Sequence, residues 1–164
     1  MIQSAFDWLG KWAVYTPEKL FLREYESAQE WSYAEFNKCA EKCTGYLSTE
    51  LNIKKGDMVA IYSVNSAEHV LLYAACLKTG AVLVPLNFRL TQGEMQMQID
   101  DCKPKVLFYA DEYEKQTKQL AEGQTGITVL PLDALTKLLS AGDDERGSYS
   151  KPVLSEDDTV MILY

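Results

Sequence analysis

Between residues 54 and 90 the hydrophobic pattern changes period twice, which predicts a strand–helix–strand unit. Met58-Val59-Ala60-Ile61-Tyr62 is apolar on both faces, as a strand covered by helices on both sides of a parallel sheet must be. Asn65 and Glu68 offer an Asn-x-x-Glu helix start, with a side-chain acceptor for the first-turn N–H groups. The following helix carries Val70, Leu71, Leu72, Ala74, Ala75 and Leu77 nearly all round, so it should be largely buried. Gly80 stands where a left-handed residue ends a helix. Residues 81–84 are the return strand, closed by Pro85, which has no N–H for a ladder. A crossover of this length joins parallel strands in the right-handed sense.

The same reading extends in both directions. Phe6, Trp8, Leu9, Trp12 and Ala13 give residues 5–15 an amphipathic helical pattern, stopped before Thr16-Pro17. Its aromatic residues are expected to pack against the domain, with a membrane or partner anchor as the other use. Residues 20–25 and 30–33 are strand candidates around the polar turn Glu26-Ser27-Ala28-Gln29, which fits a β-hairpin. Ser32 and Glu35 form a capping box that opens a helix with the inward stripe Phe36, Ala40, Cys43 and Leu47. Asn52 and Gly56 mark its exit.

After Leu90, Thr91 and Glu94 make another capping box, for a helix along Met95, Gln98 and Ile99 that Lys103-Pro104 breaks. Residues 105–110 are a buried strand, and Asp111 is placed as the cap of a helix to about Ala121. Residues 126–130 form a short strand, and Leu132, Leu135, Leu138 and Leu139 a small helix. Residues 140–158 are polar and acidic and read as an exposed loop. Residues 159–164, Thr-Val-Met-Ile-Leu-Tyr, are an apolar strand. The sum is an α/β fold: a mostly parallel sheet flanked by helices on both faces, preceded by a small β-hairpin region. Residues 1–53 hold the N-terminal helix, hairpin and helix, and residues 54–164 the α/β subdomain.

Composition narrows the function. With 47% hydrophobic and 24% charged residues in 164, the chain can build one packed core. A net charge of −8 disfavours nucleic acid or an anionic membrane as the main partner. No run reaches the roughly 18 apolar residues of a membrane helix. Residues 1–12 lack a basic segment followed by a long apolar core, so export is not expected and a cytoplasmic location is.

Candidate chemistry is sparse. The four cysteines lack any Cys-x-x-Cys spacing, and with the single histidine, His69, they read as packing residues rather than metal ligands. No glycine-rich phosphate loop, His-Glu-x-x-His or Gly-x-Ser-x-Gly occurs. The clusters Asp143-Asp144-Glu145 and Glu156-Asp157-Asp158 read as solvated charge. No catalytic or metal residue is assigned. In such a sheet a site is expected beyond the strand C-termini.

Four segments in order resemble the AMP-forming adenylating enzymes, a family of acyl-CoA synthetases, adenylating luciferases and peptide-synthetase adenylation domains. They are Trp31-Ser32-Tyr33-Ala34-Glu35-Phe36, Lys55-Gly56-Asp57-Met58-Val59-Ala60, Leu77 to Asn87, and Asp157-Asp158-Thr159-Val160-Met161-Ile162-Leu163-Tyr164. The resemblance implies that residues 1–164 are the N-terminal portion of the large domain of such an enzyme, stopping just before its phosphate loop. It implies a parent that uses ATP, magnesium and coenzyme A to convert a small-molecule carboxylic acid to its CoA thioester through an acyl-adenylate, releasing AMP and pyrophosphate. The fragment itself is then expected to be inactive and to hold none of these ligands tightly. Pro85-Leu86-Asn87-Phe88-Arg89-Leu90 resembles acyl-CoA synthetases more than peptide-synthetase domains, and the resemblance implies a parent like the long-chain fatty-acid–CoA ligases, with the acyl chain length itself not assigned. A peptide-synthetase domain and a short non-catalytic partner-binding domain stand as alternatives. By the same resemblance Phe88, Arg89, Lys115 and Lys118 are placed near the nucleotide end of coenzyme A. From the residues alone, the two lysines also read as an exposed helix face balanced by Glu112 and Glu114. Oligomeric state is not assigned.

Overall fold

The computed structural model describes residues 7–25, 27–140, 149–150 and 152–164. Helix α1 (Trp8–Tyr15) and the hairpin of β1 (Leu20–Arg23) and β2 (Glu30–Ser32) precede α2 (Tyr33–Gly45), which ends in a π-helical turn at Tyr46–Glu50. Strands β3 (Met58–Tyr62), β4 (Val82–Pro85), β5 (Val106–Tyr109) and β6 (Thr128–Pro131) then alternate with helices. These are α3 (Ala67–Thr79), α4 (Gln92–Cys102), α5 (Glu114–Ala121) and α6 (Asp133–Ser140). The four strands form one parallel sheet, as the patterning predicts, and their order is β4-β3-β5-β6. The hairpin is a separate antiparallel pair.

Alternating strand residues build two cores. Val59, Ile61, Leu83, Val106 and Phe108 pack on one face against α2, α3 and α6. Ala60, Tyr62, Val84, Leu107 and Tyr109 face α4 and α5 on the other. The predicted α2 stripe of Phe36, Ala40, Cys43 and Leu47 is completely buried. All four cysteines are buried and unpaired, and burial pushes the Cys76 thiol up to about 12, which suits packing and not nucleophilic work.

Both capping boxes form. Ser32 Oγ accepts from Glu35 N and Thr91 Oγ1 from Glu94 N, while each glutamate accepts from its cap's backbone N–H. Those bonds hold the Glu35 and Glu94 carboxyls below their usual range. The third start differs by one residue. Helix α3 begins at Ala67, so the cap is Ser66, whose Oγ accepts from His69 N, and Asn65 lies too early to reach that turn. Glu68 instead accepts a 2.7 Å hydrogen bond from Thr136 on α6. Asp111 is not a cap either. Tyr113 N donates to Ala110 O, closing a 3-10 turn at Asp111–Tyr113 that moves the start of α5 to Glu114.

Asp57 ties the N-terminal edge of the sheet. Its carboxylate accepts from Lys54 N at 2.7 Å and from Lys105 Nζ at 2.6 Å, and its carbonyl accepts from Val82 N. One residue, through its carboxylate and its carbonyl, thus brings together the segments entering β3, β4 and β5. Gly80 closes α3 at φ 72°, where a Cβ would stand 2.7 Å from Leu154 Cδ2 and 3.0 Å from Lys55 Cγ. Glycine is needed there both for the left-handed turn and for the approach of the C-terminal segment.

The expected strand over residues 159–164 is a single parallel bridge, Leu83 with Met161, held by Leu83 N to Val160 O and Ile162 N to Leu83 O. The next rung of a parallel ladder would need an N–H from Pro85, which has none. The expected loop at residues 140–158 lies partly outside the described residues, as do Phe6 and Asp143-Asp144-Glu145.

Two features depart from what the pattern implies. In α1 only Leu9 is buried, while Trp8 is 68% exposed and Trp12 41%, so the aromatic stripe does not serve as core. Asp7 caps this helix, accepting from Gly10 N at 2.9 Å, and the face that meets the domain carries Leu9 rather than the indoles. The second is Lys78, on a helix otherwise apolar nearly all round. Its side chain is fully buried and donates to Asp7 Oδ2 at 2.7 Å and Glu41 Oε1 at 2.9 Å. Glu41 Oε2 in turn accepts from the Tyr149 hydroxyl at 2.8 Å. This network pins α1, α2, α3 and the chain around Tyr149 to one point.

Candidate functional site

Connections leaving the C-terminal ends of neighbouring strands diverge at the centre of the sheet. From β3 the chain passes to α3 on one face, and from β5 to α5 on the other. Such a divergence opens a crevice above adjacent strands, the usual place for a ligand in an α/β sheet. The flanking residues here are Tyr62, the last of β3, and Tyr113, after β5.

Their rings stack at 4.3 Å with 21° between planes. Tyr62 is buried at 2% exposure and anchors the pair. Phe88, on the loop leaving β4, lies against Tyr113 with centroids 6.4 Å apart and 25° between planes. The Arg89 guanidinium stands 5.4 Å from the Phe88 ring centre, a cation–π contact. Arg89 N also donates to Asn87 Oδ1 at 3.0 Å, an Asx turn that fixes the loop. Three strand ends are thereby joined by one stack: Tyr62, Tyr113, Phe88, Arg89. Burial raises both tyrosine hydroxyls, most directly at Tyr62, so the rings stay uncharged in the physiological range.

The two lysines are placed differently. Lys115 is exposed on the first turn of α5 and makes no ion pair among the described residues. Lys118 is exposed too, but donates to Glu114 Oε1 at 2.6 Å. That bond holds its ammonium above the usual lysine value, so it stays charged while partly neutralised by its neighbour. Phe88 and Arg89 therefore meet directly, Tyr113 links them to the start of α5, and the lysines lie on that helix. What the patterning missed is Tyr62 and Tyr113. Both read as strand and helix residues, and only their shared position above the strand ends makes them partners.

Among the described residues no cluster of three histidine, cysteine, aspartate or glutamate side chains converges as metal ligands do. No helix among them is long and apolar enough to cross a membrane.

Residues 9–164 match the family model described as AMP-binding enzyme. The chain belongs to that family. It is 29% identical over its whole length to the 2-succinylbenzoate–CoA ligase of Bacillus velezensis, of which it covers 31%. A solved Mycobacterium tuberculosis fatty acyl CoA synthetase superposes with a TM-score of 0.82 at 28% identity, over 97% of this chain and 32% of that one. The O-succinylbenzoate coenzyme A synthetase of Bacillus subtilis, solved with ATP and magnesium ion, gives 0.76 at 25% identity, over 94% and 38%. The chain thus spans about a third of the length of these family members. The likeness covers the α/β fold, with its parallel four-stranded sheet and small hairpin, and the relatives are CoA ligases acting on small-molecule acids.

Proposed function

We propose that residues 1–164 form the N-terminal portion of the large domain of an AMP-forming acyl-CoA ligase. In that reading a carboxylate oxygen attacks the α-phosphorus of ATP and pyrophosphate leaves. The coenzyme A thiol sulfur then attacks the acyl carbon, and AMP leaves with the thioester formed. The observation that supports this most is the family match over residues 9–164. A long-chain fatty acid is the substrate class we favour, on the likeness to the fatty acyl CoA synthetase. The relatives named above already span more than one acid.

Within this chain, Phe88, Arg89, Lys115 and Lys118 are assigned to the nucleotide end of coenzyme A. The chemistry fits: Arg89 offers a planar fork of donors suited to phosphate, and Lys115 an ammonium with no partner among the described residues. Lys118 would have to exchange its Glu114 contact for the ligand. The 164 residues carry no catalytic residue in this reading and are inactive alone.

Two experiments test it. ATP–pyrophosphate exchange with a panel of carboxylic acids should show no turnover by the 164-residue chain, and turnover by it would overturn the assignment of chemistry elsewhere. Charge reversal at both lysines in the complete ligase should raise the coenzyme A concentration needed for half-maximal rate. An unchanged dependence removes them from the site.

A further inference from the structure

We propose that Tyr113 is a positioning residue, which sets Phe88 and Arg89 in their working orientation by stacking them on the buried ring of Tyr62. The inference rests on the coenzyme A reading above and adds to it two residues that touch no ligand.

The geometry gives the direction of support. Phe88 and Arg89 sit on a loop whose backbone is fixed by the Asx turn at Asn87, a bond that holds neither of their side chains. Loop side chains of this kind sample several rotamers unless packing selects one. Here the selection comes from outside the loop. Tyr62 is locked in the core at the end of the central strand β3. Tyr113 stacks on it at 4.3 Å, nearly parallel. Tyr113 is itself held in place by its backbone, with Tyr113 N donating to Ala110 O and Thr117 Oγ1 donating 2.8 Å to Tyr113 O. Phe88 follows at 6.4 Å and Arg89 at 5.4 Å from Phe88. Order passes along the stack from rigid strand to exposed guanidinium. A guanidinium binds phosphate through paired parallel N–H donors, so its affinity depends on the plane in which it is held.

The test uses the complete ligase and steady-state kinetics in which coenzyme A, ATP and acid are varied separately. Tyr113→Leu should raise the KM for coenzyme A roughly three- to tenfold, the scale of an aromatic pair. It should leave the KM for ATP and the rate of ATP–pyrophosphate exchange unchanged, because those do not use Arg89. Tyr113→Phe, which keeps the ring, should behave as the parent enzyme. Arg89→Ala combined with Tyr113→Leu should add little to Arg89→Ala alone, since both act through one guanidinium. A normal coenzyme A KM in Tyr113→Leu, with a raised one in Arg89→Ala, overturns the positioning role and leaves the coenzyme A site standing. Normal values in both Phe88→Ala and Arg89→Ala overturn the site and this inference together. Loss of pyrophosphate exchange in Tyr113→Leu, or a raised KM for all three substrates, marks Tyr113 as merely structural and overturns the proposal.

Discussion

Removing the buried ammonium of Lys78 should destabilise this chain more than any exposed ion pair in it. The Lys78 side chain has no solvent exposure, and the Asp7 side chain that faces it at 2.7 Å is itself 9% exposed. Lys78→Ala takes away the cation and leaves Asp7 and Glu41 close together, one of them almost dry. Removing one partner of a buried pair costs about 3–5 kcal/mol, because the charge left behind loses its counter-ion in a poorly solvated place. Domains of this kind have only about 5–15 kcal/mol in all. At roughly 2–4 °C per kcal/mol for a chain of this size, the thermal midpoint should drop by about 6–20 °C. The assay is thermal and urea denaturation of Lys78→Ala at neutral pH, followed by far-ultraviolet circular dichroism. A triple variant, Asp7→Asn with Glu41→Gln and Lys78→Met, removes every charge while keeping most of the volume. It should recover most of the loss, since a buried ion cluster is often no more stabilising than an apolar replacement. By contrast, the exposed pair Lys137–Asp133 should contribute little whichever partner is removed. A loss below about 1 kcal/mol in Lys78→Ala would refute the burial argument. A triple variant as unstable as the single one would refute the charge argument.

Two further outcomes follow from named positions. Gly80→Ala should lower the urea midpoint by an amount equivalent to about 1–2 kcal/mol for the left-handed backbone alone, with more from the Leu154 and Lys55 contacts; an unchanged midpoint would show that the turn relaxes freely. Burial holds the His69 imidazole below its ordinary 6.5, so the unfolded chain takes up that proton more readily than the folded one. His69 therefore leaves stability intact above about 6.5 and erodes it as pH falls from there toward the lower folded value. The urea midpoint should fall between pH 7 and pH 5, and less steeply in His69→Gln; equal slopes in the two proteins would exclude His69 as the source.

Local periodicity carried the sheet. Fully apolar runs at residues 58–62, 82–85 and 106–109 are where the strands lie, because both faces of a parallel sheet are covered and each face demands apolar residues. Both Ser/Thr-x-x-Glu boxes were legible because their partners sit within four residues. What stayed hidden depends on distance along the chain. Lys78 meets Asp7 across 71 positions, and nothing local marks a lysine at the end of an apolar helix as buried rather than snorkelling. The aromatic stack was hidden for the same reason, since Tyr62, Phe88 and Tyr113 come from three different loop entries. Trp8 and Trp12 misled in the opposite direction: an amphipathic pattern tells which residues share a face, not which face the fold covers. The candidate site residues Phe88, Arg89, Lys115 and Lys118 rest on the family resemblance, and in the fold they divide into a cation–π pair and two surface lysines.

The activity we propose for the enzyme to which this chain belongs is the joining of a carboxylic acid to coenzyme A, driven by ATP. The most direct measurement incubates the complete ligase with ATP, magnesium, coenzyme A and a panel of carboxylic acids, and identifies the products by mass spectrometry. The predicted result is a CoA thioester of at least one acid, formed with equal amounts of AMP and pyrophosphate. Acid-dependent pyrophosphate release without any CoA thioester, or release of ADP and phosphate instead, would contradict it.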